Sequence, residues 1–421
     1  MKSKNRVMLA ASIYLTILGL AGVLSAKQAA SLAARNAESP TNQQTSHPIV
    51  NAKLAAANTR LSFKLFSEIL KRQPNENIFI SPASVAIALD MVYNGAKGET
   101  QQAIAQTIEL QGMSLQELNQ ANAALKATLK NLDPKVQLSI ANSLWAREDE
   151  PFKSEFIQSI QDFYQVEVKK LNFGDPTAPS IINDWVKQST NGKINKIVEQ
   201  IEPDTVFLLL NAIYFKGNWT EPFAKEATQT RPFTLLDGTQ KQILMMHQQK
   251  GGGVPYYENE MFQAISLPYG EGRLSMYIFL PNPGVSLKTF YANLTAENWQ
   301  KWMNQFDHSV GDIKISLPRF KLEYSIELKD VLKALGMEIA FGSGADFSAM
   351  TPSSLWLSKV KHKSCVEVNE EGTEAAAVTE VGGVRSGPIE MSVDRPFFLA
   401  IRDNQTGAIL FMGSIVEPKD E

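Results

Sequence analysis

Few of the side chains that usually carry catalysis are spaced to act together in this chain. Its four histidines are His47, His247, His308 and His362. No Gly-x-Ser-x-Gly nucleophile elbow, His-Glu-x-x-His zinc motif, Cys-x-x-Cys pair or phosphate-binding loop occurs. Ser358-Lys359-Val360-Lys361 matches the Ser-x-x-Lys spacing of some acyl-transfer nucleophiles, but it lies in an alternating strand pattern without partner motifs. Gly251-Gly252-Gly253 lacks dinucleotide-binding spacing and reads as a loop. His362, between two lysines in a strand, reads as a structural hydrogen-bonder. These absences predict no catalytic residue, no metal site, no cofactor and no enzymatic activity.

One stretch does have a chemical pattern, and it belongs to the backbone. Residues 371–386 form a run of small side chains: Glu371, Gly372, Thr373, Glu374, Ala375, Ala376, Ala377, Val378, Thr379, Glu380, Val381, Gly382, Gly383 and Val384, closed by Arg385 and Ser386. Alternate side chains on a strand face opposite ways. One parity holds Thr373, Ala375, Ala377, Thr379, Val381 and Gly383, all small and uncharged. The other carries both acids of the run's interior, Glu374 and Glu380, with Ala376 and Val378. Such a segment suits an exposed loop. It equally suits a strand that slides between two others over a packed core while its charges stay in water.

The elements around it are legible. Ser81-Pro82 starts a helix: Ser81 caps it, and Pro82 fits the first turn, where a missing N–H costs nothing. Val85, Leu89 and Val92 give its apolar face, and Gly95 stops it. Segments 60–72, 153–166, 179–190 and 325–335 also read as helices. Val206 to Tyr214 is nearly all apolar, as in a strand buried on both faces. Leu274–Leu280, the alternating Ile313, Ile315 and Leu317, Val360–Val368, Pro396–Ile401 and Ala408–Val416 read as further strands. Helices concentrate early and strands late, which predicts an α+β fold.

The chain has 421 residues, 44% hydrophobic and 20% charged, with formal net charge −3. That is enough for a large core, and nothing argues for a nucleic-acid partner or a polybasic membrane surface. Lys2, Lys4 and Arg6 precede an uncharged run from Val7 to Ala26. Residues 1–26 therefore read as an export signal cut after Ser25 or Ala26, or as an uncleaved anchor long enough to span a bilayer. Residues 27–50 read as a disordered spacer and 51–421 as one domain without a linker. With only Cys365, no intrachain disulfide can form. The expected location is secreted or periplasmic, membrane-tethered if the first segment stays.

Several motifs make the chain resemble the serpins, inhibitors of serine proteases. They are Asn77-Ile78-Phe79-Ile80-Ser81-Pro82-Ala83-Ser84, Asn94-Gly95-Ala96-Lys97-Gly98-Glu99-Thr100, Asn211-Ala212-Ile213-Tyr214-Phe215-Lys216-Gly217-Asn218-Trp219, Pro318-Arg319-Phe320 and Gly344-Ala345-Asp346-Phe347-Ser348. The most specific is Val393-Asp394-Arg395-Pro396-Phe397-Phe398-Leu399. The resemblance covers about residues 54–420.

It implies the serpin fold: three β-sheets, eight or nine helices and an exposed reactive-centre loop, here about Gly372 to Val393. It implies a hinge at Glu371, Gly372, Thr373, Glu374, Ala375, Ala376 and Ala377, which carries no bulky residue at the positions to be buried. It implies a metastable sheet with unmatched backbone groups along a gap, into which the cleaved loop inserts as an added strand. The protease, caught as an ester on the loop, is dragged ~50 Å as about 15 residues enter at roughly 3.3 Å each. It implies a monomer whose partner is a serine protease in a covalent acyl complex.

The family's spacing leaves the attacked bond open. Counting back from Pro396 gives Arg385–Ser386, suited to the acidic pocket of trypsin-like enzymes. Counting forward from Gly372 gives Ser386–Gly387, suited to elastase-like or subtilisin-like enzymes. Ser81, Ser84, Asn211 and His362 resemble the hydrogen-bonded cluster where the sheet parts. Arg319 and Glu370 resemble a charged pair near the point where the loop would go in, and Trp219 the aromatic there. The helix that binds heparin in some members falls at Leu115–Lys130, which offers only Lys126 and Lys130 and includes Glu117, so no polyanion site is expected. A non-inhibitory carrier or chaperone of the same family is the alternative.

Overall fold

The computed structural model describes residues 51–130, 133–166, 168–202, 205–306, 310–371 and 388–420. The expected signal, the spacer, the hinge from Gly372 onward and the Arg385–Ser386 bond lie outside the described residues.

The described helices are α1 (Ala52–Arg72), α2 (Pro82–Gly95), α3 (Gly98–Thr107), α4 (Leu115–Lys130), α5 (Ser154–Ser159), α6 (Ala178–Ser189), α7 (Leu287–Asn293), α8 (Ala296–Met303) and α9 (Lys329–Leu332). The strands are β1 (Ile78–Ile80), β2 (Val136–Arg147), β3 (Val168–Leu171), β4 (Phe207–Gly217), β5 (Gln229–Thr234), β6 (Gln240–Lys250), β7 (Tyr256–Glu258), β8 (Phe262–Tyr269), β9 (Leu274–Pro281), β10 (Ile313–Pro318), β11 (Phe320–Glu327), β12 (Lys359–Val368), β13 (Ile389–Ser392), β14 (Phe397–Asp403) and β15 (Ile409–Ile415).

They form three sheets, as the resemblance implied, in an α+β fold. One has the order β1-β15-β14-β9-β8-β7, the second β13-β10-β6-β5, and the central one β11-β12-β4-β2-β3. The central sheet is mixed. β11 and β2 run antiparallel to their neighbours β12 and β4, while β12 and β4 run parallel to each other.

β4 is buried on both faces, which is why its sequence is an unbroken apolar run. Leu209, Ile213 and Phe215 join the main core, together with Val85, Leu89 and Val92 of α2. Leu208, Leu210, Ala212 and Tyr214 face the other way into a second core with Ile182 and Val186 of α6 and Ile194, Ile197 and Val198 beyond it. Trp145 of β2 and Trp185 of α6 meet edge-on at 5.9 Å in that layer. The seam between β4 and β12 is thus sandwiched between α2 below and the α6 layer above.

Three expectations need correction. The helix expected over 325–335 gives up its first residues to β11. Ile326 and Glu327 pair with His362 and Lys361, so sheet pairing overrides their helical spacing, and α9 begins at Lys329. The helix expected over 153–166 is regular only to Ser159 and continues as a wider π-wound turn to Tyr164. Finally, most of the seam has no gap of unmatched backbone, and the pairing stops only at the last residues of the two strands. β12 and β4 are in register from Lys359 opposite Leu208 to Val366 opposite Phe215. A strand entering there must replace one parallel pairing rather than fill an empty one.

Candidate functional site

Two clusters of side chains hold the β4–β12 seam, one at its middle and one at its end.

The middle cluster starts from the helix cap. Ser81 has extended backbone angles, and its Oγ accepts from the N–H of Ser84 at 3.3 Å. The backbone N–H of Ser81 remains free to donate, and it does so to Nε2 of His362 at 3.2 Å. That nitrogen therefore holds a lone pair, and the ring proton sits on Nδ1. Nδ1 donates to Oδ1 of Asn211 at 2.5 Å. The amide of Asn211 then donates to Ser84 Oγ and to Oδ1 of Asn142 on β2. Ser364, next along the inner face of β12, donates to the carbonyl of Phe79.

The four residues expected from sequence, Ser81, Ser84, Asn211 and His362, thus meet in one chain of hydrogen bonds. All are buried, His362 and Ser81 completely. Burial lowers the His362 pKa to about 3, so the ring is neutral, in keeping with its one donor and one acceptor role. Asn142 was not anticipated. Its signal was present: between Ile140 and Leu144, it is a polar residue at a core-facing position of an apolar strand.

The end cluster surrounds the exit of β12. Trp219 stacks on Tyr269, ring centroids 4.3 Å apart and 11° from parallel, and its Nε1 donates to the carbonyl of Asn369 at 2.9 Å. Gly217 makes this possible, because a Cβ there would lie 2.6 Å from the Tyr269 ring. Glu370, 5% exposed, accepts from the hydroxyl of Thr228 at 2.7 Å and faces Arg319 at 3.6 Å. Arg319 also bonds Asp420 at 2.9 Å. Trp219, Arg319 and Glu370 are therefore gathered where β12 ends.

Glu371, the first of the expected hinge residues and the last one described before Gly372, is held by Lys216 and Lys225, each at 3.4 Å. Hydrogen bonding to Lys216 first, and then to Lys225, keeps its carboxyl below the ordinary range. Neither lysine was singled out from sequence.

Other candidates fall elsewhere. His247 pairs with Ser316 at 2.8 Å in the sheet that contains β6 and β10, away from the seam. Gly251-Gly252-Gly253 is a loop. Cys365 is buried on the α6 side of β12, where desolvation raises its thiol to about 11. Lys126 of α4 turns its ammonium onto the carbonyl of Tyr164, and burial lowers its pKa to about 8. Among the described residues no group of three His, Cys, Asp or Glu is placed to hold a metal. No described helix is long and apolar enough to cross a membrane.

A parallel pair of strands at the centre of a mixed sheet, pinned by a capped helix below and a charged clasp at one end, defines the fold class. The serpin (serine protease inhibitor) family model matches residues 56–418, and the chain belongs to that family. It is 36% identical to a leukocyte elastase inhibitor of Bos taurus over 87% of this chain and 100% of the relative. It is 38% identical to serpin B6 of Pongo abelii, over 87% and 99%. Among solved structures it is similar to tengpin, a thermophilic serpin in its native state, with 31% identity, TM-score 0.79, and 87% and 95% covered. Uncleaved ovalbumin matches at 30% identity, TM-score 0.78, and 87% and 100%.

These relatives correct the earlier statement about enzymatic activity. It rested on missing motifs, and missing motifs say nothing of what a chain does. The family match replaces it with a positive class, protease inhibitor.

Proposed function

We propose that this protein is a suicide inhibitor of serine proteases that presents Arg385–Ser386 as its attacked bond. The observation that carries the reading is the state of the seam. β4 and β12 are paired with each other, and Glu370 and Glu371 lead the chain directly from β12 into the small-residue run.

The chemistry proceeds on the loop. The protease's serine oxygen attacks the carbonyl carbon of Arg385. The C–N bond to Ser386 breaks, the Ser386 amine leaves with a proton from the enzyme's histidine, and an ester joins the two proteins. The freed segment from Gly372 turns back on β12. It would run antiparallel to β12 and, since β4 is parallel to β12, antiparallel to β4 too. One parallel pairing is exchanged for two antiparallel ones, with Thr373, Ala375, Ala377 and Thr379 facing the core. If insertion outruns ester hydrolysis, the protease is carried off and distorted.

Seven residues would control opening rather than chemistry: Ser81, Ser84, Asn211 and His362 at the middle, and Trp219, Arg319 and Glu370 at the end. The same reading includes a monomer, export directed by residues 1–26, and no polyanion site.

A second reading has one specific support, the name of the Bos taurus relative, a leukocyte elastase inhibitor. It moves the bond to Ser386–Gly387. Incubation with trypsin and with elastase separates the two. A denaturant-stable complex with trypsin, releasing a peptide that begins at Ser386, supports the first. A complex with elastase alone, releasing a peptide from Gly387, supports the second. Cleavage by both without any complex rejects inhibition. Sequencing the mature N-terminus tests the export segment.

A further inference from the structure

A second set of contacts crosses the seam on the face away from α2. Lys216 is the penultimate residue of β4, and Glu367 lies on β12. In the β4–β12 register, Phe215 opposite Val366 is the last pair, and Lys216 and Glu367 follow them on their strands. Lys216 Nζ is 3.8 Å from Glu367 and 3.4 Å from Glu371. One ammonium thus ties β4 both to β12 and to the residue where the chain leaves β12. Among the described residues, Lys225 pairs with Glu371 alone.

We propose that Lys216 is a positioning residue for loop insertion: an ionic clasp across the mouth of the seam that sets how readily the first inserting residues part β4 from β12. The proposal rests on the inhibitory reading above. A chain that turns back at Gly372 reaches the level of Glu367 before any deeper part of the seam. To lie between the strands it must separate them by one further interstrand spacing, ~4.8 Å. Lys216 and Glu367 would then stand roughly 9 Å apart, about a Debye length at physiological salt, and their attraction would be largely screened. The clasp therefore opposes the first step and not the last. It is partly exposed, with side-chain accessibilities of 28% for Lys216 and 33% for Glu367, so salt weakens it. The hydrogen bonds of His362 and Asn211, completely buried or nearly so, lack that sensitivity.

Three consequences separate this role from simple support of the fold. Lys216→Met should speed the first-order insertion step several-fold. It should lower the number of inhibitor molecules consumed per protease trapped, while the bimolecular attack on the loop stays unchanged. In the wild type, raising salt from 0.05 to 0.5 M should speed insertion, and in Lys216→Met it should not. Lys216→Arg should restore the wild-type rate and salt slope. Lys225→Met, which leaves the contact to Glu367 intact, should keep most of the slope.

The experiment is stopped-flow insertion kinetics with fluorescently labelled trypsin, at several salt concentrations, on the full chain. Glu367→Gln is run beside Lys216→Met, so that a folding defect in one leaves the other. Faster, salt-insensitive insertion in either variant supports the clasp. A wild-type rate and slope in both variants, or slower insertion, overturns it. If the wild type forms no complex with any protease tried, the inhibitory reading fails first, and the clasp with it.

Discussion

Nδ1 of His362 stands 2.5 Å from Oδ1 of Asn211, and the two residues are direct partners across the β4–β12 seam. A strand inserted there would move the partners apart by another ~4.8 Å and break this bond. The bond also fixes the Asn211 amide, which carries the contacts onward to Ser84 and Asn142. Three hydrogen bonds through Asn211 therefore link α2, β2, β4 and β12.

Removing Asn211 should loosen the seam. Asn211→Ala leaves the buried Nδ1–H of His362 without an acceptor. Each stranded group costs about 1–3 kcal/mol. The expected result is a lower melting temperature and faster spontaneous conversion to an inactive form on warming, read by calorimetry and residual inhibition. Unchanged values of both would show that the cluster does not hold the seam.

The same histidine predicts a dependence on acid. Burial lowers its pKa to about 3, against an ordinary value of 6.5. Above 6.5 the ring is neutral whether the seam is closed or the chain unfolded, and nothing is lost. As pH falls from 6.5 towards 3, the unfolded chain takes up a proton that the closed seam refuses. Stability then drops by up to ~1.4 kcal/mol per pH unit. Asp90 tilts the wild-type melting curve the opposite way over the same range, so the readout is a difference: relative to the wild type, His362→Gln should gain stability as pH falls from 7 to 4. An equal slope in the variant would assign the acid sensitivity to other groups.

Asp90 of α2 acts in the opposite direction. It is 2% exposed, its carboxyl accepts from Asn122 at 2.8 Å, and desolvation raises its pKa from 3.8 to about 7. As pH rises from 3.8 through 7, the unfolded chain sheds a proton that the native state keeps, so stability falls. Asp90→Asn should therefore raise the melting temperature more at pH 8 than at pH 4. A larger gain at pH 4 would contradict the assignment.

Arg385→Ala should abolish complex formation with trypsin and leave the melting temperature as it was. The guanidinium would make a charge-assisted contact in an acidic pocket that alanine cannot replace. Association rates with trypsin and elastase are the measurement. Trypsin inhibition surviving the substitution would shift the bond to Ser386–Gly387.

Sequence patterns reach the two strands of the seam but not their pairing. The unbroken apolar run of β4 announced a strand buried on both faces, and Ser81-Pro82 announced the cap of α2. Both are local effects of side-chain type. That His362 would find Asn211 followed from resemblance alone, because register between distant strands is fixed by the whole sheet. Asn142 could have been read as a polar residue on a core face. Lys216 could not: its partner Glu371 lies 155 positions away, and a surface lysine near a strand end carries no local signal. Ile326 misled because its spacing fits a helix as well as a strand, and pairing with His362 decided between them.

The most direct test of the account is the heat stability of the protein after a single cut in the reactive loop, made by a protease that is not trapped. Insertion would exchange one parallel pairing for two antiparallel ones and bury the Thr373, Ala375, Ala377 and Thr379 face. With ~10 net hydrogen bonds at roughly 0.5–1.5 kcal/mol each, the gain would be about as large as the usual stability of a domain. The nicked protein should melt on the order of ten degrees or more above the intact one. A melting temperature unchanged or lowered by the cut would mean that the seam between β4 and β12 does not accept the loop.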